Sequence, residues 1–300
     1  MRGVIETKQL TYRYGRKTAL DHVNITLNEN QLIGLIGRNG SGKTTFLKLC
    51  AGYYYPTDGE ITVFEEEPFH RIESLGEIIY SNPNVYHKEL NTLEQILKYF
   101  KLTYPRFDAV FANKLLVVFA LQPTMRFKNL SQGMVSVFNF ICALSTRARL
   151  TLFDEPILGM DVTSRKKIYE ILLRDYIECP RTIIVSSHIL SELEDILSEI
   201  LLIDEGKIIL YKDLDEVRTM SYRIDGTEDA VKAFCSDKTV IYSNYNTMNS
   251  YAVIEGEYND TIIPEGEKYN VAFSKVRPED YCVYKTLRGG EADLECLWER

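Results

Sequence analysis

Two stretches of this 300-residue chain combine residue types and spacings that can do chemistry. The first is Gly37-Arg38-Asn39-Gly40-Ser41-Gly42-Lys43-Thr44, which fits the phosphate-binding pattern G-x-x-x-x-G-K-S/T. Glycines at 37, 40 and 42 let the backbone turn tightly and bring its N–H groups against phosphate oxygens with no Cβ in the way. Lys43 supplies a point charge for the outer phosphates, and the Thr44 hydroxyl is placed to ligate Mg²⁺. The second stretch, Leu150-Thr151-Leu152-Phe153-Asp154-Glu155, is a mostly apolar run that ends in two carboxylates. Beside a Mg²⁺-bound triphosphate, one carboxylate can hold the metal while the other polarises a water. Together the stretches predict a nucleoside triphosphate site.

The elements that must position these residues can also be read. Leu32-Ile33-Gly34-Leu35-Ile36 reads as a buried strand feeding the glycine-rich loop, and Thr45-Phe46-Leu47-Lys48-Leu49 as the helix after it. That helix points its unpaired N–H groups and the positive end of its dipole at the same anion. Asp154 and Glu155 lie at the carboxyl end of a second buried strand, where open parallel sheets place ligands. A third strand, Thr182-Ile183-Ile184-Val185, runs into Ser186-Ser187-His188. A histidine there is either a structural group or a reacting one. Upstream, residues 4–7, 10–14 and 23–27 are β-favouring or alternating and predict an antiparallel layer ahead of the loop. Tyr12 and Tyr14 sit in it, and either can offer a ring to a nucleotide base or pack at a sheet edge.

Residues 84–148 are helical in texture. Thr92-Leu93-Glu94-Gln95 fits a capping box, and Leu93, Ile96, Leu97 and Phe100 recur with helical spacing. A second helix is expected over 111–120. A third opens at Leu130-Ser131-Gln132-Gly133-Met134, with Val135, Phe138, Ile141, Cys142 and Ser145 along one face. An amphipathic helix is expected over 162–178, and a strand pair over 200–204 and 207–211 turns at Glu205-Gly206. Beyond Val217 the chain holds short β-like runs at 239–242, 251–254 and 270–273, with no constellation that suggests chemistry. The domains expected are therefore 1–216, including a helical subdomain at 84–148, and 217–300.

Composition narrows the function classes. A net charge of −8 argues against a general nucleic-acid-binding surface. Six cysteines without C-x-x-C spacing read as reduced thiols of a cytosolic protein rather than a disulfide framework. The first residues show no signal-peptide pattern, and no run approaches the ~18 apolar residues of a membrane span. Service to a membrane would thus come from the cytoplasm, through partners.

Over residues 1–215 these motifs, in this order, resemble the ATP-binding subunit of ATP-binding-cassette (ABC) transporters. The resemblance implies an α/β fold with a P-loop NTPase (RecA-like) core, an antiparallel β layer and a helical subdomain, followed here by a small C-terminal α+β accessory domain. It implies ATP and Mg²⁺ as cofactors. Tyr14, just before Gly15, matches the aromatic that stacks on adenine. Gly37, Arg38, Asn39, Gly40, Ser41, Gly42, Lys43, Thr44 and Thr45 match the phosphate site. Asp154 joins Thr44 as the Mg²⁺-associated acid, Glu155 is the catalytic carboxylate that orients water, and His188 is the switch histidine that senses the γ-phosphate. Ser131 and Gly133 match the signature that grips the γ-phosphate of a second ATP-binding subunit, and Asp161 the loop that crosses that interface.

Two departures matter. Where the family has a Gln near the metal, this chain has Ser81, or Asn82 if the alignment shifts by one, so a weakened Mg²⁺ contact is expected there. The signature has Gln132 for its first Gly and Met134 for its closing Gln. With Ser186-Ser187-His188-Ile189-Leu190, the chain looks most like bacterial exporters of peptide antibiotics, drugs or lipids. The implied partners are a membrane-spanning permease subunit, docked near residues 81–110, and a second ATP-binding subunit, the same or different, with no nucleic acid. The implied location is the inner face of the cell membrane. A soluble ABC ATPase acting on ribosomes or DNA is the alternative; the single cassette and the acidic balance weigh against it. A GTPase would need an N-K-x-D motif, which the sequence lacks.

Overall fold

The computed structural model describes residues 3–69, 76–83, 92–245, 250–258, 264 and 268–287, within two compact units, Met1–Tyr211 and Lys212–Arg300. Residues 84–91, where the helical texture begins, and Cys296 lie outside the described residues. The first unit runs β1 (Gly3–Tyr14), β2 (Lys17–Asn28), β3 (Leu32–Ile36), α1 (Lys43–Cys50), β4 (Asp58–Val63) and β5 (Ile78–Ser81). It continues through α2 (Leu93–Thr103), α3 (Ala109–Val118), α4 (Gln132–Ser145), β6 (Leu150–Asp154) and α5 (Val162–Glu178). β7 (Thr182–Ser187), β8 (Glu199–Asp204) and β9 (Lys207–Asp213) follow.

An antiparallel sheet in the order β2-β1-β4 forms the layer expected ahead of the loop. Residues 4–7 and 10–14, read as separate runs, are one strand. Its pairing with β2 slips between Thr7 and Leu10, where Gln9 takes φ 51°. The slip re-aims the strand, so Thr7 and Leu10 are both buried despite an odd spacing. The second sheet has the order β5-β6-β7-β3-β8-β9, with β5, β6, β7, β3 and β8 paired in parallel. β3, β6 and β7 are buried at every residue, as parallel strands covered on both faces are. One core joins both sheets and α1 through Leu10, Leu20, Phe46, Leu152 and Leu201, each fully buried. Each such side chain contributes about 1.5–3 kcal/mol of transfer free energy.

Local chemistry explains the helices. Thr92 and Gln95 make the reciprocal capping box at the start of α2. α3 starts before the expected residue 111, because the Asp108 carboxylate accepts from the Phe111 N–H and caps it early. α4 is not the one-faced helix its spacing predicts. From Ser136 to Ser145 it is buried on all sides, since it packs on α3 as well as on β5 and β6. Among the described residues no helix is long and apolar enough to cross a membrane.

The second unit opens with α6 (Leu214–Thr219), β10 (Ser221–Gly226), α7 (Glu228–Phe234) and β11 (Val240–Asn244). β12 (Ser250–Glu255), β13 (Ala272–Lys275) and α8 (Pro278–Thr286) complete it. Its antiparallel sheet has the order β11-β12-β10-β13. β10 went unread in the sequence, because its few residues mix apolar and charged types; pairing with β12 and β13 makes it central. Tyr222 and Ile224 from it join Val231, Phe234, Ala252 and Ile254 in the core. Within this unit α6 packs on β10 and α8.

Candidate nucleotide site

Strand register brings the chemistry to one end of the parallel sheet. Asp154 at the end of β6 lies level with Ser186 on β7, and Ile36 at the end of β3 lies level with Ser187. Beyond β3 the chain turns through Gly40, φ 83°, and Gly42, φ 116°, into α1. A Cβ on Gly42 would lie 2.7 Å from the Ala19 carbonyl oxygen, so both its dihedral and its space require glycine. The Lys43 side chain is 6% exposed and donates from Nζ to the carbonyl oxygens of Gly37 at 2.6 Å and Arg38 at 3.3 Å. Burial pushes its pKa down, and the nearby Glu155 carboxylate opposes that shift.

A cavity of about 240 Å³ lies against this loop. Tyr14, Asn39, Gly40, Gly42, Lys43, Thr44, Thr45 and Glu155 line it, as do Lys17 and Ala19, which the motifs did not single out. Gly37, Arg38 and Ser41 shape the same turn without lining the cavity, the Ser41 N–H donating to Arg38 O at 3.1 Å. The Tyr14 hydroxyl lies 3.3 Å from Thr45 Oγ1, and its ring meets Tyr12 edge-on at 4.9 Å. Tyr54 stacks on Tyr12 at 5.1 Å, so Tyr14 rather than Tyr12 presents a ring to the cavity.

The acid pair sits beside Lys43. Asp154 is buried; Tyr80 Oη donates to its Oδ2 and Ser186 Oγ to its Oδ1, each at 2.8 Å. Glu155 takes a left-handed φ of 49°, and its N–H donates to Ser186 Oγ at 3.0 Å. Its Oε2 lies 3.0 Å from His188 Nδ1. Its Oε1 is buried without a hydrogen-bond partner and lies 3.5 Å from Lys43 Nζ. Ser81 turns elsewhere: its hydroxyl donates to the Asn139 carbonyl of α4 at 3.4 Å, and the Asn82 carbonyl accepts from Asn139 Nδ2 at 3.1 Å. Neighbours on a strand point to opposite faces, so Tyr80, not Ser81, reaches the acid. The sequence assigns neither Tyr80 nor Ser186 a role at Asp154, because strand register brings them there.

Ser131, Gly133 and Asp161 gather apart from this cavity. They line another, of about 450 Å³, with Gln132, Met134 and Gly159. Ser131 caps α4, its Oγ accepting from the Met134 N–H at 3.3 Å. Asp161 caps α5, accepting from the Ser164 N–H at 3.0 Å and the Ser164 hydroxyl at 2.6 Å; these bonds hold its pKa below the ordinary carboxylate value. Gly133 approaches the other loop so closely that a Cβ on it would lie 2.9 Å from the Gly159 carbonyl oxygen.

Known proteins resemble this chain in sequence and fold. A family profile described as ABC transporter matches residues 20–158. The chain is 30% identical to the bacitracin transport ATP-binding protein BcrA of Enterococcus faecalis, over 85% of this chain and 83% of that protein. It is 27% identical to BcrA of Bacillus licheniformis, over 97% of this chain and 99% of that protein. A solved ATP-binding subunit of an ABC transporter superposes with a TM-score of 0.63 at 25% identity, covering 72% of this chain and 92% of that one. Similarity of that extent, on a fold built around a phosphate loop, makes this chain a member of the ABC transporter family, one of its ATP-binding and ATP-hydrolysing proteins.

Proposed function

We propose that this chain energises export of a peptide antibiotic or a similar drug or lipid, hydrolysing ATP at the inner face of a bacterial membrane for a separate membrane-spanning permease subunit. The relatives named for bacitracin transport support this reading over an ATPase acting on ribosomes or DNA. In it, residues 1–216 are the nucleotide-binding domain. Residues 217–300 are an accessory domain, and the alignment with the Bacillus licheniformis protein extends through them.

Tyr14 stacks on adenine, and Gly37, Arg38, Asn39, Gly40, Ser41, Gly42, Lys43, Thr44 and Thr45 form the phosphate cradle. Mg²⁺ fits the donors present. Thr44 offers a hydroxyl and Asp154 a carboxylate, and among the described residues no cluster of His, Cys, Asp or Glu could hold a metal alone. A sparse set of hard oxygen ligands suits a Mg²⁺ whose shell is completed by phosphate oxygens and water. When bound, the metal neutralises charge building on the β- and γ-phosphates. Two subunits pair head to tail, so that Ser131 and Gly133 of one face the γ-phosphate held by the other, with Asp161 between them.

The placement of Glu155 carries the hydrolytic part. One carboxylate oxygen lies 3.0 Å from His188 Nδ1. The other lies 3.5 Å from Lys43 Nζ, buried and without a hydrogen-bond partner. Glu155→Gln keeps the shape but removes the negative charge and basicity, while Lys43 and the loop amides keep the phosphates. Turnover should fall on the order of 10²-fold or more with ATP binding intact. Removing a like charge beside the γ-phosphate should also let ATP and Mg²⁺ convert the variant from monomer to a long-lived dimer on size exclusion. Turnover near the wild-type rate would sink the assignment of Glu155, and lost ATP binding would make it a structural carboxylate.

A further inference from the structure

The acid pair is held by two hydroxyls to which the motifs assign no role. Tyr80 Oη and Ser186 Oγ each donate to a different oxygen of Asp154, at 2.8 Å. Ser186 is fully buried, and a serine hydroxyl has a single proton to give. With that proton on Asp154, its lone pair accepts the Glu155 N–H at 3.0 Å, so one side chain ties the two acids together. Glu155 needs the tie, since a residue with a Cβ resists the left-handed φ of 49° that it adopts. We propose that Tyr80 and Ser186 are positioning residues of the ATPase site: both fix the orientation of Asp154, and Ser186 also fixes the turn that aims Glu155.

The geometry separates their tasks. Each carboxylate oxygen offers about two lone-pair positions, so one hydroxyl on each leaves one on each free for a metal. Tyr80 is buried, and its phenol has one proton to give, which goes to Asp154 Oδ2. Its ring also tilts against Tyr53 at 5.4 Å, packing that a phenylalanine would preserve. Ser186 acts on both acids and therefore on both metal binding and the hydrolytic step.

The inference rests on the proposed roles of Asp154 and Glu155, and its test keeps the two levels apart. The affinity of the full chain for a non-hydrolysable ATP analogue with an imido-linked γ-phosphate is measured with and without Mg²⁺, alongside steady-state hydrolysis. Residues that orient a metal ligand typically carry 10- to 100-fold of metal affinity or activity. Tyr80→Phe and Ser186→Ala should each lose about tenfold of the Mg²⁺-dependent gain in analogue affinity, leaving metal-free affinity unchanged. Ser186→Ala should in addition lower kcat without a matching rise in KM, and Ser186→Thr, which keeps the hydroxyl, should restore it. Asp154→Asn serves as the reference. Loss of the Mg²⁺ response in Asp154→Asn alone, with Tyr80→Phe and Ser186→Ala unaffected, overturns the positioning role and leaves Asp154 as the metal-associated acid. An unchanged Mg²⁺ response in all three variants overturns both.

Discussion

The cavity beside Lys43, at about 240 Å³, is smaller than the one beside Ser131, at about 450 Å³, yet the smaller one has the buried charge. Lys43 lies in it almost fully desolvated, facing Glu155. The lining of the larger cavity includes no lysine or arginine; its one charged residue, Asp161, is exposed and engaged in capping its own helix. Ser131 likewise spends its hydroxyl on the α4 N-terminus. The difference teaches what each cavity can do alone. A fixed cation in a water-poor site can bind phosphate unaided, because electrostatic attraction strengthens as water is excluded. Two capped helix N-termini offer a weaker dipolar attraction, suited to completing a charge already held by another surface.

Lys43→Met should therefore produce the largest loss. In the proposed site it removes the point charge at the outer phosphates, and it leaves Glu155 without the cation it faces at 3.5 Å. Removing a preorganised electrostatic group costs on the order of 10²–10³-fold in turnover, and here nucleotide binding by the isolated chain should fall as well. Fluorescent ATP titration and phosphate release would measure both. Retained binding would show that the loop amides and helix dipole suffice, and the contrast between the cavities would collapse.

Ser131→Arg should cost hydrolysis nearly as much while sparing binding. The arginine would fill the larger cavity and block the facing subunit, but it lies in a cavity separate from the phosphate loop. ATP affinity of the single chain should stay within about threefold of wild type while ATP-driven dimers are lost, since a steric block at a rim need not disturb a distant preformed site. A parallel loss of monomer affinity would mean that the two cavities are coupled within one chain.

How much of this could be read beforehand follows from whether a feature is local in sequence. The phosphate loop, the acid pair after β6 and the cap of α2 each lie within a few consecutive residues whose types have one good physical use. Contacts made across strands were not readable in that way. Tyr80 and Ser186 meet Asp154 because β5, β6 and β7 are neighbours in a fixed register, and a single sequence does not display register. β10 is illegible for the same reason, its strand character coming from two partners distant in sequence. Spacing shows only a preferred face of α4, whereas tertiary packing covers the rest.

The smallest expected effect is the dependence of stability on pH, and it separates the cavities by the pH range in which each acts. Lys43 has its folded-state pKa lowered by burial. Between that lowered value and the ordinary lysine value the unfolded chain holds more protons than the folded one, so this residue makes stability rise with pH on the alkaline side. Asp161 also has a lowered pKa, caused by the Ser164 hydroxyl and backbone N–H bonds that favour its carboxylate. Its contribution is complete above the unfolded carboxylate value and is lost as pH falls through the folded value, on the acid side. Being solvent-exposed, that contribution should shrink in high salt, whereas that of buried Lys43 should not. Melting temperatures of the nucleotide-free chain across pH, with Lys43→Met and Asp161→Asn beside wild type, test both limbs. Lys43→Met should flatten the alkaline rise alone, and Asp161→Asn, which retains a capping oxygen, the acid fall alone. An acid-limb change in Lys43→Met would mean that its main effect runs through Glu155, and that the cation and the carboxylate must be treated as one buried pair.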